Sequence, residues 1–435
     1  MGIKPGDEIV LNLIDNAFGG EAVGRVNNLV VFVPFAIKGE TVKVRIRQKK
    51  RRMLFADLLE VIEPSPERTT PFCPNFGSCG GCQYQHINYP YQLEIFVKQL
   101  KDLLLRTGGF LELPEILPAL PSPKTTRYRN RIDLHPAEDA SGSPFYGFCK
   151  RMEPKTIFPL KECPIFALED DFSALPMRME DKLLVLRTHS GKPYYYFKDN
   201  HNLVCSGPFD YETSESLGDE DVFYDVGKLR FFNSYSGFFQ VNPSLLEVFS
   251  KVVTDFAQPS ESDLLLDIYC GAGFFGISLA DKVKEVLGVE IDPSSIAYAK
   301  KNARANGLAN CRYTADSAEN YLRGLLEQGV KPDICILDPP RTGLTNKAVS
   351  AVKHLQPKRL IYISCGPPTF ARDAAKFADA GYLLSKIQPL DLFPHTKHFE
   401  LISLFEWKGK GSGSPTKGAL AEKEEAGSDF SCEAE

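Results

Sequence analysis

The chain lacks any apolar run long enough to cross a bilayer, for which about 20 consecutive apolar residues are needed, and no apolar segment follows Met1. No membrane association is therefore expected, and a cytoplasmic location is. It also lacks an internal repeat, which argues against a repeat array. Nor is there a surplus of positive charge: 51 Lys and Arg face 56 Asp and Glu, a net −5. A uniformly basic nucleic-acid binder is thereby excluded, and any grip on phosphate must come from local patches. Residues 409–435 hold three basic and six acidic groups, so −3 of the charge sits there and −2 on the body. That segment is Gly- and Ser-rich, then acidic, and is expected to be disordered. With 435 residues and 43% hydrophobic content, the chain can bury two or three cores.

What is present is concentrated toward the C-terminus. The short apolar runs 264–266, 286–289, 334–337 and 360–363 are bounded by polar or turn residues and read as buried parallel strands. Helices are expected from about Phe275 to Lys284 and from Ser294 to Asn306, the second capped by Asp292-Pro293. Strand and helix alternate as in a doubly wound α/β fold, whose ligands sit outside the carboxyl ends of the strands. After the first strand, Gly271, Gly273 and Gly276 spell G-x-G-x-x-G, a turn that serves dinucleotides as well as S-adenosylmethionine. Asp267 precedes those glycines, and Glu290 ends the second strand, where it can accept bonds from ribose hydroxyls. An acid beside the turn repels a pyrophosphate but tolerates a sulfonium and an ammonium, so the methyl donor is favoured over a nicotinamide.

Asp338-Pro339-Pro340-Arg341 and Ser364-Cys365-Gly366-Pro367 end the next two strands. A lone Cys after an apolar strand is by default an inert buried thiol. At a strand end beside a methyl donor it gains a use, because carbon 5 of a pyrimidine is too electron-poor to take a methyl group unaided. Addition of sulfur at carbon 6 makes carbon 5 nucleophilic, and a base must then remove the carbon 5 proton. Glu400, on the loop into the strand Leu401–Phe405, is the chosen base, with His395 and His398 as rivals whose bland alternative is loop packing.

Cys73, Cys79 and Cys82 are spaced C-x5-C-x2-C in a loop with Gly and Pro, and Cys163 lies beyond. Such spacing points to a metal, with iron-sulfur and zinc as the candidates, the irregular loop leaning toward iron-sulfur, and a disulfide least. Cys149 is a rival fourth ligand. At the other end of the chain, apolar and polar residues alternate from Thr41 to Arg47, as in a small β-barrel, and Lys43 to Arg52 carries seven basic residues without an acid. That run suits phosphate tracking, with a solvated face as the alternative. In the middle region, helical periodicity spans Tyr91 to Arg106, while Tyr128-Arg129-Asn130-Arg131 and Phe145-Tyr146-Gly147-Phe148 set aromatics beside cations or glycine. These either stack unpaired bases or pack internally.

Phe238-Phe239-Gln240-Val241-Asn242, Asp267-Ile268-Tyr269-Cys270-Gly271, Asp338-Pro339-Pro340-Arg341, Ser364-Cys365 and His398-Phe399-Glu400 together resemble the RNA uracil-5-methyltransferase family, from the N-terminus to about Trp407. The resemblance implies a TRAM barrel of oligonucleotide-binding type at 1–62, and a central α+β domain at 63–239 with RNA contacts. It also implies a class I S-adenosylmethionine-dependent methyltransferase domain at 240–408. Gln240, Tyr269, Glu290, Asp316 and Asp338 would contact the donor, Cys365 would be the nucleophile and Glu400 the proton acceptor. Cys73, Cys79, Cys82 and Cys163 would hold a [4Fe-4S] cluster, Cys163-Pro164-Ile165 matching the family's ligand position better than Cys149. A 23S ribosomal RNA is favoured over transfer RNA as substrate, and a monomer is expected. Phe274 and Gly366 depart from the family, which usually has Asn at both places. The other classes open to this sequence are an iron-sulfur oxidoreductase and an RNA-binding protein without activity.

Overall fold

Strict alternation closes the N-terminal segment on itself. In the strand Thr41–Lys50, Val42, Val44 and Ile46 point inward and are at most 1% exposed, while Lys43, Arg45 and Arg47 point out. The computed structural model, which describes residues 3–168, 172, 183–189, 192–199, 202–208, 222–234, 237–409 and 411–416, places this strand fourth in a closed five-stranded barrel. The strands are β1 (Glu8–Asn16), β2 (Glu21–Val26), β3 (Leu29–Pro34), β4 (Thr41–Lys50) and β5 (Met53–Glu63), in spatial order β1-β2-β3-β5-β4. Asn27 and Asn28 make the β2–β3 turn with φ of 48° and 62°, the left-handed pair that a two-residue hairpin needs.

After helix α1 (Tyr89–Arg106) and the short β6 (Glu115–Ile116), a six-stranded sheet follows. It comprises β7 (Arg131–Glu138), β8 (Pro144–Cys149), β9 (Ile157–Pro159), β10 (Leu183–His189), β11 (Lys192–Asp199) and β12 (Asn202–Pro208). The hairpin of β13 (Val222–Val226) and β14 (Leu229–Asn233) leads into α2 (Leu246–Ala257). The C-terminal layer then alternates β15 (Leu264–Ile268), α3 (Phe274–Leu279), β16 (Glu285–Glu290), α4 (Pro293–Ala305), β17 (Cys311–Ala315), α5 (Ala318–Glu327), β18 (Ile334–Leu337), α6 (Asn346–Leu355), β19 (Arg359–Ser364) and α7 (Pro367–Ala380). It ends with β20 (Tyr382–Leu390) and β21 (Glu400–Trp407).

The resulting eight-stranded sheet runs β17-β16-β15-β18-β19-β21-β20-β6. The first five strands are mutually parallel, and β21 is antiparallel to both its neighbours. Alternate residues of each strand feed two cores. Leu265, Ile336 and Ile361 pack with α2, α3 and α4 on one face, and Leu266, Leu337 and Leu360 with α5, α6 and α7 on the other. This is the doubly wound architecture expected, with an antiparallel edge.

Two pieces of the segment expected as a separate middle unit, 63–239, join these cores. Ile95, Phe96, Leu100 and Leu104 of α1 are at most 5% exposed and lie in the core with α7 and β21, and Val222 and Phe231 of the β13–β14 hairpin lie in the other. The cause is α1's own apolar stripe, which has to be buried against a neighbour. The segment expected to be disordered from 409 is also placed in part. Ser414 Oγ accepts from Leu384 N at 2.8 Å, Leu111 N donates to the Pro415 carbonyl at 2.9 Å, and Thr416 Oγ1 donates to Asp379 at 2.6 Å. The remainder, 417–435, and part of the middle region lie outside the described residues.

Phe96 of α1 stacks on Phe399 with ring centroids 4.6 Å apart. Phe96→Ala should lower the unfolding free energy by about 3–5 kcal/mol, measured by urea denaturation.

Candidate active site

The carboxyl ends of the parallel strands open into one cavity of about 1180 Å³, which continues along the loop of the upstream cysteines. Local rules shape its first wall. Tyr269 follows β15 with φ of 64°, a left-handed bend that turns the chain sharply out of the sheet. Asp267, 0% exposed, stays behind it and accepts the Gly276 amide of α3 at 2.9 Å. Gly276 is required by that approach, because a Cβ there would lie 2.8 Å from the Asp267 carboxylate. Asp267 thus builds the turn from beneath and does not line the cavity, whereas Tyr269 and Glu290 do. Glu290 accepts from the amides of Ile291 at 2.7 Å and Asp292 at 3.2 Å, and Asp292 caps α4 as expected.

The second wall is Phe238–Val241, pinned by the central segment: Asn130 N donates to the Val241 carbonyl at 2.8 Å and Asn130 Nδ2 to the Gln240 carbonyl at 3.3 Å. Phe274, where the resemblance led to an expected Asn, is 6% exposed and edge-on to Phe231, Phe239 and Phe249. The position is an aromatic anchor here, tying the β13–β14 hairpin to the cavity floor.

Acids crowd the cavity. Asp338 is half-buried, and desolvation first, then Asp267 and Glu290, push it up to about 8. Asp267 is pushed up to about 7 by desolvation and Glu290. Glu400, 5% exposed with Oε2 unpartnered among the described residues, is held well above the usual carboxylate range by burial and Asp338, against the pull of Arg341. Such a site is short of positive charge.

Cys365 and Glu400 meet because β21 runs antiparallel to β19. Ser364 pairs with Leu401, so the residue leaving one strand faces the residue entering the other. Burial and the Glu400 charge push the Cys365 thiol up to about 12, while the positive charge of Arg341, which lines the same cavity, pulls the other way. Arg341, from the Asp-Pro-Pro-Arg loop, was not singled out by sequence; its place next to a strand-end thiol was the available signal. His395 and His398, the rival bases, do not line the cavity. Burial lowers them to about 4 and about 3, the latter helped by Arg341, Lys397 and Arg129. The His395 carbonyl accepts the amides of Gln83 and Tyr84, both at 2.9 Å, and Lys397 N donates to Gln83 Oε1 at 2.9 Å. The loop before Glu400 therefore hangs on the cysteine loop.

Gln240, Tyr269, Glu290, Asp338, Cys365 and Glu400 are thus brought to one cavity, together with Cys73, Cys79, Cys82, Cys149 and Cys163. Asp316 is not: it stands past β17 and accepts from its own turn, Ser317 N at 2.7 Å. The thiols of Cys79 and Cys82 are pushed up to about 11 and about 12 by burial and, secondarily, by neighbouring sulfurs that include Cys163 and Cys73. Amides point at the sulfurs, Gly81 N at 3.3 Å from Cys79 Sγ. Yet among the described residues no three His, Cys, Asp or Glu side chains stand in metal-holding geometry, so the expected [4Fe-4S] site finds no support in these positions.

For two of the aromatics the structure decides between stacking and internal packing. Tyr128 is buried with its hydroxyl donating to the Pro394 carbonyl at 3.1 Å, and Tyr146 is 2% exposed in the central core, so neither ring is open to a base. The basic run of the barrel divides in two. Lys43 and Arg45 pair with Glu8, and Arg47 with Asp57, which leaves the exposed turn of Lys49, Lys50, Arg51 and Arg52 as its outward cationic end.

Comparison with known proteins agrees with this layout. Residues 225–407 match the family model described as tRNA (uracil-5-)-methyltransferase, and residues 9–59 match that of the TRAM domain. An RNA methyltransferase of Thermosynechococcus vestitus is 32% identical over 92% of this chain and 98% of its own. One from Halalkalibacterium halodurans is 30% identical over 93% and 98% respectively. In fold, the chain is similar to the Pyrococcus abyssi tRNA (uracil-54, C5)-methyltransferase solved with S-adenosyl-L-homocysteine, with a TM-score of 0.67, 24% identity, and coverage of 92% of this chain and 100% of that one. The chain belongs to the RNA (uracil-5-)-methyltransferase family, with a TRAM domain ahead of its catalytic sheet.

Proposed function

We propose that the protein transfers the methyl group of S-adenosylmethionine to carbon 5 of a uridine in 23S ribosomal RNA through a transient bond between Cys365 and carbon 6. The observation that carries this reading is the meeting of a thiol, a buried unpartnered carboxylate and an acidic wall in one cavity. The acids favour a cationic donor over an anionic dinucleotide. Sulfur of Cys365 adds to carbon 6, and the electron pair of the ring double bond moves toward the carbonyl oxygen at carbon 4. Carbon 5 then takes the methyl group, releasing S-adenosylhomocysteine. Glu400 removes the carbon 5 proton, the double bond re-forms and the thiolate leaves. The raised proton affinity of Glu400 suits it to that last step. Arg341 supplies positive charge to the sulfur as it ionises, against the cost of burial. A stacked base cannot reach this cavity, so the uridine is flipped or comes from a loop. Gln240, Tyr269, Glu290 and Asp338 are proposed to hold the donor; Asp316 needs the turn after β17 to close toward it.

The preference for ribosomal RNA rests on the family resemblance, in which a barrel joined to a cysteine cluster is more frequent among relatives acting on ribosomal RNA than among those acting on transfer RNA. Mixing Glu400→Gln with the donor and with 23S or transfer RNA transcripts should trap RNA on the protein in denaturing gels with the 23S transcript only. Cys365→Ala should form no adduct and no product while still binding RNA. Product from Cys365→Ala would refute the nucleophile, an adduct with transfer RNA alone would reassign the substrate, and retained but unmodified RNA with the unaltered protein would mark a binder without activity.

Donor binding carries a pH signature. Asp338 takes up its proton below about 8, and only the ionised form attracts a cation, so affinity should rise with pH and level off above that value. The Kd for S-adenosylmethionine should fall roughly tenfold from pH 6 to pH 8, and Asp338→Asn should flatten the profile. Calorimetric titration reads both; a flat profile in the parent removes Asp338 from the donor site.

Although the four thiols do not stand in metal-holding geometry among the described residues, their chemistry, soft sulfur donors with the Gly81 amide aimed at Cys79, suits a [4Fe-4S] cluster better than a hard cation. Cys73, Cys79, Cys82 and Cys163 would hold it, and its contribution would be to order the loop on which His395 hangs. Protein purified without oxygen should contain about four iron and four sulfide per chain, lost in Cys82→Ser; zinc or no metal in the parent would refute the cluster.

A further inference from the structure

Gly366 stands where an Asn is usual, and the structure shows what occupies the space. Its φ is −121°, which any residue can adopt, so glycine is not needed for conformation. It is needed for room: a Cβ would lie 2.7 Å from Thr369 Oγ1 and 3.0 Å from the Arg341 carbonyl oxygen. The Thr369 hydroxyl, one turn into α7, shares its single proton between the carbonyls of Gly366 at 2.8 Å and Arg341 at 3.0 Å. A second glycine closes on the same helix face. Gly343 has φ of 75°, and a Cβ there would lie 2.5 Å from both Arg372 Nη2 and Asp373 Oδ2. Arg372 Nη2 donates to the Thr342 carbonyl at 3.0 Å, and Leu344 N donates to Asp373 Oδ2 at 2.8 Å. Asp373 is 0% exposed and also receives the Tyr362 hydroxyl at 3.1 Å. Three residues of one helix therefore hold the backbone of 341–344, and the same helix starts directly after Cys365.

We propose that Thr369 is a positioning residue for methyl transfer: its hydroxyl locks the Arg341 loop onto the Cys365 loop and so fixes where Arg341 stands relative to Cys365 in the cavity that both line. Arg372 and Asp373 set the rest of that loop, and Thr369 sets Arg341 itself. The kinetic part of this assignment rests on the proposed role of Cys365; the thiol's own reactivity does not.

Two measurements on full-length Thr369→Val and Thr369→Ser test it. The first is the rate of Cys365 alkylation by iodoacetamide across pH, read on its peptide by mass spectrometry, without RNA or donor. The second is kcat and KM on an RNA transcript. Loss of one neutral hydrogen bond predicts that Thr369→Val slows alkylation at fixed pH by about fivefold. Its alkylation profile should shift to higher pH, and kcat should fall by a similar factor while KM for RNA stays within about twofold. Thr369→Ser keeps the hydroxyl and should match the parent in both. Parental alkylation in Thr369→Val, or equal losses in Thr369→Ser, would overturn the assignment. Should Thr369→Val fail to fold, Gly366→Ala displaces the same hydroxyl and must slow alkylation likewise. Methylation by Cys365→Ala would refute the proposed nucleophile and leave the alkylation result standing.

Discussion

Burial of the parallel sheet on both faces is the constraint from which the site follows. Each of β15, β16, β18 and β19 gives alternate side chains to two cores, leaving no place along the strands for an ionisable group without cost. Polar chemistry is confined to the strand ends, where Tyr269, Glu290, Asp338 and Cys365 all emerge. Asp267 shows the limit of the rule. Fully buried one residue before the end of β15, it is tolerated because an amide of α3 reaches it, and burial still raises its proton affinity.

The accessory segments work by hydrogen bonds to exposed backbone. Asn130 fixes the Gln240–Val241 stretch, Asn242 reaches Ser122 at 2.9 Å, Gln83 and Tyr84 fix His395, and Tyr128 fixes Pro394. Loops have no ladder of their own, and a buried carbonyl or amide left without a partner costs about as much as a lost hydrogen bond. Groups from a different part of the chain therefore decide where the loops around the cavity lie. The cysteine loop is one such brace, connected to the loop of Glu400 through ordinary amide contacts.

Electrostatics give the site its preference. Burial first, and neighbouring acids second, raise the proton affinity of Asp267, Asp338 and Glu400, and Arg341 opposes the acids at Cys365 and Glu400. A cationic donor relieves that repulsion, whereas a pyrophosphate adds to it.

The alternating and strand-end patterns of the sequence were sufficient for the barrel, for the doubly wound order and for the Asp292 cap, because those features depend on neighbours in the chain. They also singled out Cys365 and Glu400 separately. Their assignment to one pyrimidine already implied that they converge, but what sets them face to face is the antiparallel pairing of Ser364 with Leu401, which no local pattern shows. For the same reason the sequence places α1 in the middle unit, whereas its apolar stripe packs in the core with α7, and it leaves Tyr128 open between stacking and packing, which the bond of its hydroxyl to Pro394 decides. Local periodicity determines which residues form a strand and which face is apolar. Which distant strand lies beside it, and which carbonyl a buried hydroxyl must satisfy, are set by packing between segments, and that only the tertiary structure decides.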